Sequence, residues 1–379
     1  MIKPLSPSLP APQWDIHAPG RVNLLGEHVD YNDGIVLPAA IDRYVHLQAV
    51  ETGHTRVELT ALDLGEKITF DLENLQPQAL PDWTRYPAGV AWAALQRGLP
   101  VSGIRAVYTS SVPIGAGLSS SAAVEVAFGA LWNELNRWGL SRLELAQLCQ
   151  QAENRFVGVN CGLMDQFASA CGIKGHALMF DTRSLAYEPV PLPASTALVI
   201  ADSGMRRTLA NSAYNQRRAD CEEAVRLLRV YLPGIRSLRD VRLDDFNRFS
   251  DHLPEQVGRH ARHVVEEIAR VEKAVDLLKQ GNGAAFGQLM VEGHVSLRDL
   301  YQVSIPELDR LVEIATCLPG CLGARLTGAG FGGCTVNLVE EEAAQIFAQR
   351  LAQEYTLRTG KTGEIYLCHA SEGVHVQTG

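Results

Sequence analysis

Residues 20–34 read GRVNLLGEHVDYNDG, and no other stretch restricts the fold as much. Arg21, Glu27, His28, Asp30 and Asp33 fall within one short run, spaced by Gly20, Gly26 and Gly34. Val22, Leu24 and Leu25 precede the polar cluster, and Ile35, Val36 and Leu37 follow it. Charges pinned on both sides by apolar residues point to polar groups held between buried segments. The glycines let the backbone turn sharply and approach a ligand. Carboxylates, a guanidinium and an imidazole supply both donors and acceptors, which suits a small hydroxyl-rich ligand. On spacing alone, a solvated hairpin loop is an equal reading.

The chain has 379 residues, enough for two domains with sizeable cores. A net charge of −9 argues against a nucleic-acid partner, which would call for a basic face. No apolar run reaches membrane-span length. The start (MIKPLSPSLPAPQW) lacks the apolar core of a signal peptide and reads as a Pro-rich lead-in before the first strand. The eight cysteines form no CxxC pair. In a chain of this length they read as reduced, mostly buried thiols of a cytoplasmic protein, without structural zinc.

Strands are expected at 35–41, 44–50, 56–61 and 67–71, a helix near 86–97, and a strand at 104–109. A long helix ends before Gly139. A second helix starts with the Ser-x-x-Glu capping box of Ser141 and Glu144, with a stripe of Leu145, Leu148, Cys149, Ala152 and Phe156. Strands follow at 176–180 and 197–201. Beyond residue 205 amphipathic segments dominate (212–231, 258–280, 284–296, 306–318). Strands return at 323–327, 333–339 and 364–368, with a helix at 341–355. The change of texture near 201–204 marks the expected domain boundary.

Residues 113–121 (PIGAGLSSS) lie between a strand and the long helix. Backbone N–H groups at such a helix start converge on an anion. Gly115 and Gly117 would let a phosphate come close, and Ser119, Ser120 and Ser121 could donate to it or ligate Mg²⁺. No Lys follows the glycines, so this is not a Walker loop. A flexible Ser/Gly loop is the bland alternative. Residues 326–334 (LTGAGFGGC) could form a second backbone cradle near the same phosphates. Glu153 and Asp165 are candidate carboxylates for Mg²⁺ and for a substrate hydroxyl. A helix-surface or capping acid is the competing reading of each.

Together these motifs carry a resemblance. The run at 20–34 resembles the galactokinase signature, 113–123 the second motif of the GHMP kinases, and 325–334 their third. The likeness continues through GLMDQFASA (162–170), SAYNQRRADCEEA (212–224), ARHVVEE (261–267), SLRDLYQVS (296–304) and PELD (306–309). It implies an α+β fold of two domains with the active site in the cleft between them. The first (1–201) is similar to the second domain of ribosomal protein S5; the other (202–379) is ferredoxin-like.

Position by position, Asp165 matches the catalytic carboxylate and Arg21 the residue that keeps it ionised. Glu27, His28, Asp30, Gly162 and Tyr214 match sugar contacts, with Val29 inside that run. Gly115, Ala116, Gly117, Leu118, Ser119, Ser120 and Ser121 match the triphosphate loop. Ser121 and Glu153 match the Mg²⁺ ligands, and Trp83 a residue near the adenine. The implied reaction moves the γ-phosphate of ATP to the C1 hydroxyl of α-D-galactose, with Mg²⁺, in a monomer whose partners are small molecules. Leu25, Val29, Ala39 and Gly293 depart from the usual family residues, and none removes a catalytic group. The alternatives are a related 1-kinase for N-acetylgalactosamine, galacturonate or arabinose, and a non-catalytic sugar and ATP sensor.

Overall fold

The structure is a computed structural model and describes residues 11–206 and 210–379, so most of the Pro-rich lead-in lies outside it. The chain runs β1 (Trp14–Asn23), β2 (Ile35–Val36), β3 (Pro38–Glu51), β4 (Arg56–Ala61), β5 (Glu66–Asp71), α1 (Arg85–Gln96) and β6 (Ile104–Ser110). Next come α2 (Ser120–Leu135), α3 (Arg142–Ala152), α4 (Met164–Cys171), β7 (His176–Asp181), β8 (Tyr187–Pro191) and β9 (Thr196–Asp202). The remainder is α5 (Ala210–Leu228), α6 (Leu243–Phe249), α7 (Glu255–Lys279), α8 (Gly283–Asp299), α9 (Pro306–Cys317), β10 (Cys321–Thr327), β11 (Cys334–Glu340), α10 (Ala344–Thr359), β12 (Ile365–Cys368) and β13 (His375–Thr378).

Among the described residues the strands form sheets ordered β13-β1-β3-β6-β4-β5, β10-β11-β9-β12 and β2-β7-β8. The strands expected at 35–41 and 44–50 are divided differently. Asp42 and Arg43, read as a turn, continue β3, because β1 pairs with both halves of it across a register shift between Pro19 and Arg21. The capping box of α3 is present: the Ser141 hydroxyl accepts from Glu144 N–H, and the Glu144 carboxylate accepts from Ser141 N–H. Its apolar stripe is buried against α1 and α2.

The β9 run is apolar throughout because both its faces are covered. Ala197, Val199 and Ala201 face α9 and α10. Leu198 and Ile200 join a second core containing Val22, Leu24 and Leu25 of the polar run, Ala116 and Leu118 of the Gly/Ser turn, and Phe286 and Met290 of α8. This shared core ties the two motifs to the second sheet. The texture change at 201–204 falls at the end of β9, whose pairing partners β11 and β12 lie much later, while β13 returns to pair with β1.

Helix α8 approaches β10 through glycines. A Cβ on Gly287 would sit 2.0 Å from the Leu322 carbonyl, and one on Gly323 2.3 Å from the Gly287 carbonyl. Backbone on both sides leaves nothing to move aside. Gly287→Ala should therefore destabilise the chain by about 1–3 kcal/mol. Urea unfolding checks this; an unchanged midpoint would show that the helix can slide off the sheet at no cost.

Candidate active site

Arg21 lies on β1 where that strand passes under the Gly/Ser turn. Gly20 permits the approach: a Cβ there would meet the Leu118 carbonyl at 2.7 Å and Val112 at 2.8 Å. Arg21 N–H donates to the Leu118 carbonyl at 3.1 Å, and its Nη1 donates to the Gly117 carbonyl at 2.6 Å. The other side of the guanidinium holds Asp165: Nε and Nη2 donate to Oδ1 at 2.9 and 2.7 Å. Ser119 Oγ donates to Asp165 Oδ2 at 2.6 Å. Asp165 occupies the first turn of α4, where the helix dipole favours a negative charge.

Ser119 precedes α2 in the left-handed region (φ 59°, ψ 43°) and makes no capping bond, because its hydroxyl is turned to Asp165. His28, Asp33 and Phe331, all within the three motifs, also have positive φ. Non-glycine residues in this region cluster where the surrounding structure holds a functional geometry. Gly115 and Gly117 take φ of 71° and 82°. Ala116 and Leu118 are fully buried and anchor the turn, leaving its glycines toward the surface.

Ser121 hydrogen-bonds Glu153, which begins a π-helical turn (Glu153–Val157) after α3. Gln166 Nε2 bridges Glu153 and Glu125 at 2.5 and 2.9 Å, and Cys161 Sγ lies 3.2 Å from Glu153. Burial pushes Glu153 up to about 7, with Asp165 adding to the shift, and pushes Glu125 well up too, with Glu153 adding. Buried acids that raise one another's pKa form a place where a cation is favourable.

The polar run and the third motif face each other. His28 Nε2 is 3.1 Å from the Ala329 carbonyl and Nδ1 is 2.9 Å from Tyr31 Oη. A carbonyl only accepts, so Nε2 carries the proton and Tyr31 donates to Nδ1. Tyr301 then donates to Tyr31 at 2.6 Å. The Tyr214 ring stands 5.4 Å from the rings of both His28 and Tyr31. Asp30 lies against Gly162, where a Cβ would fall 1.8 Å from Asp30 Oδ2. Burial, then the Asp165 charge, pushes Asp30 up to about 6.

Glu27 is drawn inward instead. It is 1% exposed and pairs with Arg325 at 2.6 Å, while Gly328 N–H donates to its Oε1 at 3.1 Å. Arg325 also meets Glu267 at 3.0 Å, and Glu267 accepts from Gly26 N–H at 2.8 Å. Burial pushes Glu27 up to about 7 despite Arg325. Glu267 is held well below the carboxylate range, burial being outweighed by Arg325 and Arg270.

Comparison with known proteins decides the family. Residues 10–49 match the model "Galactokinase galactose-binding signature", 85–173 "GHMP kinases N terminal domain" and 274–357 "GHMP kinases C terminal". The chain is 49% identical over 363 residues to a galactokinase of Roseiflexus sp. (strain RS-1), covering 96% of this chain and 93% of the relative. It is 43% identical to the Homo sapiens galactokinase over 374 residues, 96% and 92% of the two chains. The chain belongs to the galactokinase family. A crystal structure of Lactococcus lactis galactokinase complexed with galactose superposes with a TM-score of 0.89 at 34% identity, covering 95% of this chain and 94% of that one. A mevalonate kinase at 22% identity and TM-score 0.67 shares the fold.

In this galactokinase-family chain the structure brings together Arg21, Asp165, Ser119 and Gly117, then Ser121 with Glu153, and then His28, Asp30, Gly162 and Tyr214. The side chains of three further expected residues have other partners. Val29 is fully buried with its side chain against Gly34, and its carbonyl accepts from Asn32 and Gly34, so it offers the site no side chain. Glu27 turns to Arg325. Trp83 donates to Glu66 at 2.5 Å and packs on Tyr108.

The third motif, expected as a second phosphate cradle, has a bracing contact in the structure. Thr327, Gly328 and Ala329 bond Asn23, Glu27 and His28, so the third motif braces the polar run. Sequence reasoning missed Glu125, Gln166, Tyr31, Tyr301, Glu267 and Arg325. Glu125 was findable four residues after Ser121, on the same face of the helix.

Two outcomes follow from these charges. Arg325→Met leaves Glu27 and Glu267 facing each other at 1% and 0% exposure and should cost about 3–5 kcal/mol in denaturant unfolding. A loss under 1 kcal/mol would mean the network is not needed. The second concerns Asp30, whose folded pKa of about 6 exceeds its reference of 3.8. Between those values the folded chain keeps a proton that the unfolded chain has released, so Asp30 loses stability for the fold as pH rises from about 4 to 6. The stability of Asp30→Asn relative to wild type should therefore grow by about 1–3 kcal/mol from pH 4 to 7. A difference flat with pH would remove the raised pKa.

Proposed function

We propose that this chain phosphorylates the C1 hydroxyl of α-D-galactose with ATP, giving α-D-galactose 1-phosphate and ADP, and that Asp165 and Arg21 carry the chemistry. Galactokinase activity and the use of ATP follow from family membership. What carries the residue assignment is the Arg21 fork, which joins Asp165 to the Gly117 carbonyl of the Gly/Ser turn.

In this reading, 115–121 and the start of α2 cradle the triphosphate with backbone N–H groups. Ser121 and Glu153 would hold Mg²⁺. Their fit rests on hard oxygen donors already in contact and on a buried Glu125 Oε1 with no hydrogen-bond partner behind them. Bound there, the ion neutralises phosphate charge. His28, Asp30, Tyr214 and the Gly162 backbone line the sugar side; Glu27 acts from behind by fixing Gly328, and Val29 by its backbone. Trp83 is assigned to the adenine side.

The C1 oxygen attacks the γ-phosphorus, the bond to the β–γ bridging oxygen breaks, and the hydroxyl proton passes to Asp165. Arg21 and Ser119 orient that carboxylate, and Arg21 counters the charge that develops. We also assign the chain as a cytoplasmic monomer, divided near 201. In support of a reducing compartment, all eight cysteines are free.

ADP release across galactose, glucose, N-acetylgalactosamine, galacturonate and arabinose tests the substrate. Galactose should exceed glucose by at least about tenfold in kcat/KM, since a misplaced C4 hydroxyl leaves Asp30 poorly paired. Equal use of the two, or preference for another sugar, would overturn the assignment. Asp165→Asn should lower kcat by roughly 10²–10⁴-fold while galactose still binds by calorimetry. Near wild-type turnover would remove Asp165 from the mechanism.

A further inference from the structure

A row of histidines crosses β1, β3 and β13. In a strand, alternate side chains face opposite sides. Ile16 and Ala18 enter the main core, so Asp15 and His17 share the other face. His17 is directly opposite His46 on β3 and His375 on β13. The three rings stack, with centroids 4.2 Å apart for His17–His46 and 4.9 Å for His17–His375. Asp15 Oδ1 lies 2.9 Å from His46 Nε2 and 3.5 Å from His17 Nδ1.

We propose that Asp15, His17 and His46 form a binding site for a divalent transition-metal ion, Zn²⁺ foremost. One donor atom from each residue lies within 4.8 Å of the others. Zinc bonds of about 2.0–2.2 Å in tetrahedral geometry place donors roughly 3.3 Å apart, so the site closes when one of the stacked imidazoles rotates to bring its in-plane lone pair onto the ion. Two imidazole nitrogens and one carboxylate suit zinc rather than Mg²⁺ or Ca²⁺, and three protein ligands leave a fourth position for water.

Two observations favour a ligand over a merely packed cluster. His17 is 7% exposed, yet its Nδ1 has no hydrogen-bond partner. Such a group is unfavourable in isolation, and coordination would satisfy it. Asp15 is also oriented from outside: its Oδ2 accepts from Gln48 Nε2 at 2.8 Å, the kind of second contact that aims a metal-binding carboxylate. A bound ion would tie β1 to β3 on the strand that also carries Arg21.

The test is Zn²⁺ titration of the chelator-stripped full chain by calorimetry, with excess Mg²⁺ to occupy the nucleotide side. Wild type should bind one equivalent more than His46→Gln or Asp15→Asn, and its Tm should rise by a few degrees with Zn²⁺ while theirs does not. Galactose phosphorylation should be unchanged in both variants. Asp15→Asn carries the test if His46→Gln fails to fold, because it leaves the ring stack intact. Equal zinc binding by wild type and Asp15→Asn, or none by wild type, would overturn the proposal.

Discussion

The guanidinium of Arg21 is the junction on which the active site depends. It spends two donors on Asp165 and one on the Gly117 carbonyl, so the first turn of α4 and the Gly/Ser turn are registered against the same strand. Charge-assisted, forked hydrogen bonds are both strong and directional. A Lys could not hold both partners in this way. Ser119 completes the clamp and accepts left-handed backbone to do so. Its cap is given up to aim the carboxylate.

Around that junction, two kinds of contact hold the halves of the molecule together. One is apolar: Val22, Leu24, Leu25, Ala116 and Leu118 share a core with β9, β11 and α8. The other is ionic: Arg325 on β10 reaches Glu27 in the polar run and Glu267 on α7, all of them nearly inaccessible to water. Buried ion pairs add little net stability against apolar alternatives. Their effect here is positional, since they set Gly26 and Gly328 where His28 meets Ala329. The glycines and positive-φ residues of the motifs follow from this crowding, as Gly162 shows by accommodating the Asp30 carboxylate.

Much of this was legible in the sequence. The Arg21–Asp165 pairing, the helix after the Gly/Ser turn, the Ser141–Glu144 cap and the Ser121–Glu153 contact came from motif chemistry or from the family resemblance. Local signals failed where distant partners decide. Pro19 and Gly20 disguise β1, which persists because β3 and β13 flank it. The helix α4 is only eight residues, about two turns, too short for its periodicity to be told from a loop in the sequence. The Arg325 that pairs with Glu27 lies 298 positions later, and Val29 sits between polar neighbours yet faces the core. The Tyr31–Tyr301 chain likewise needs α8 folded against the polar run.

The central claim is that Arg21 and Asp165 work as one unit. The most direct measurement is a double-mutant cycle on kcat/KM for galactose, using Arg21→Lys, Asp165→Asn and the pair. The account predicts strong non-additivity, with the double variant little worse than the poorer single one, because removing either partner already breaks the same constellation. Effects that simply add in free energy would contradict it and would mean that the two side chains serve the reaction independently.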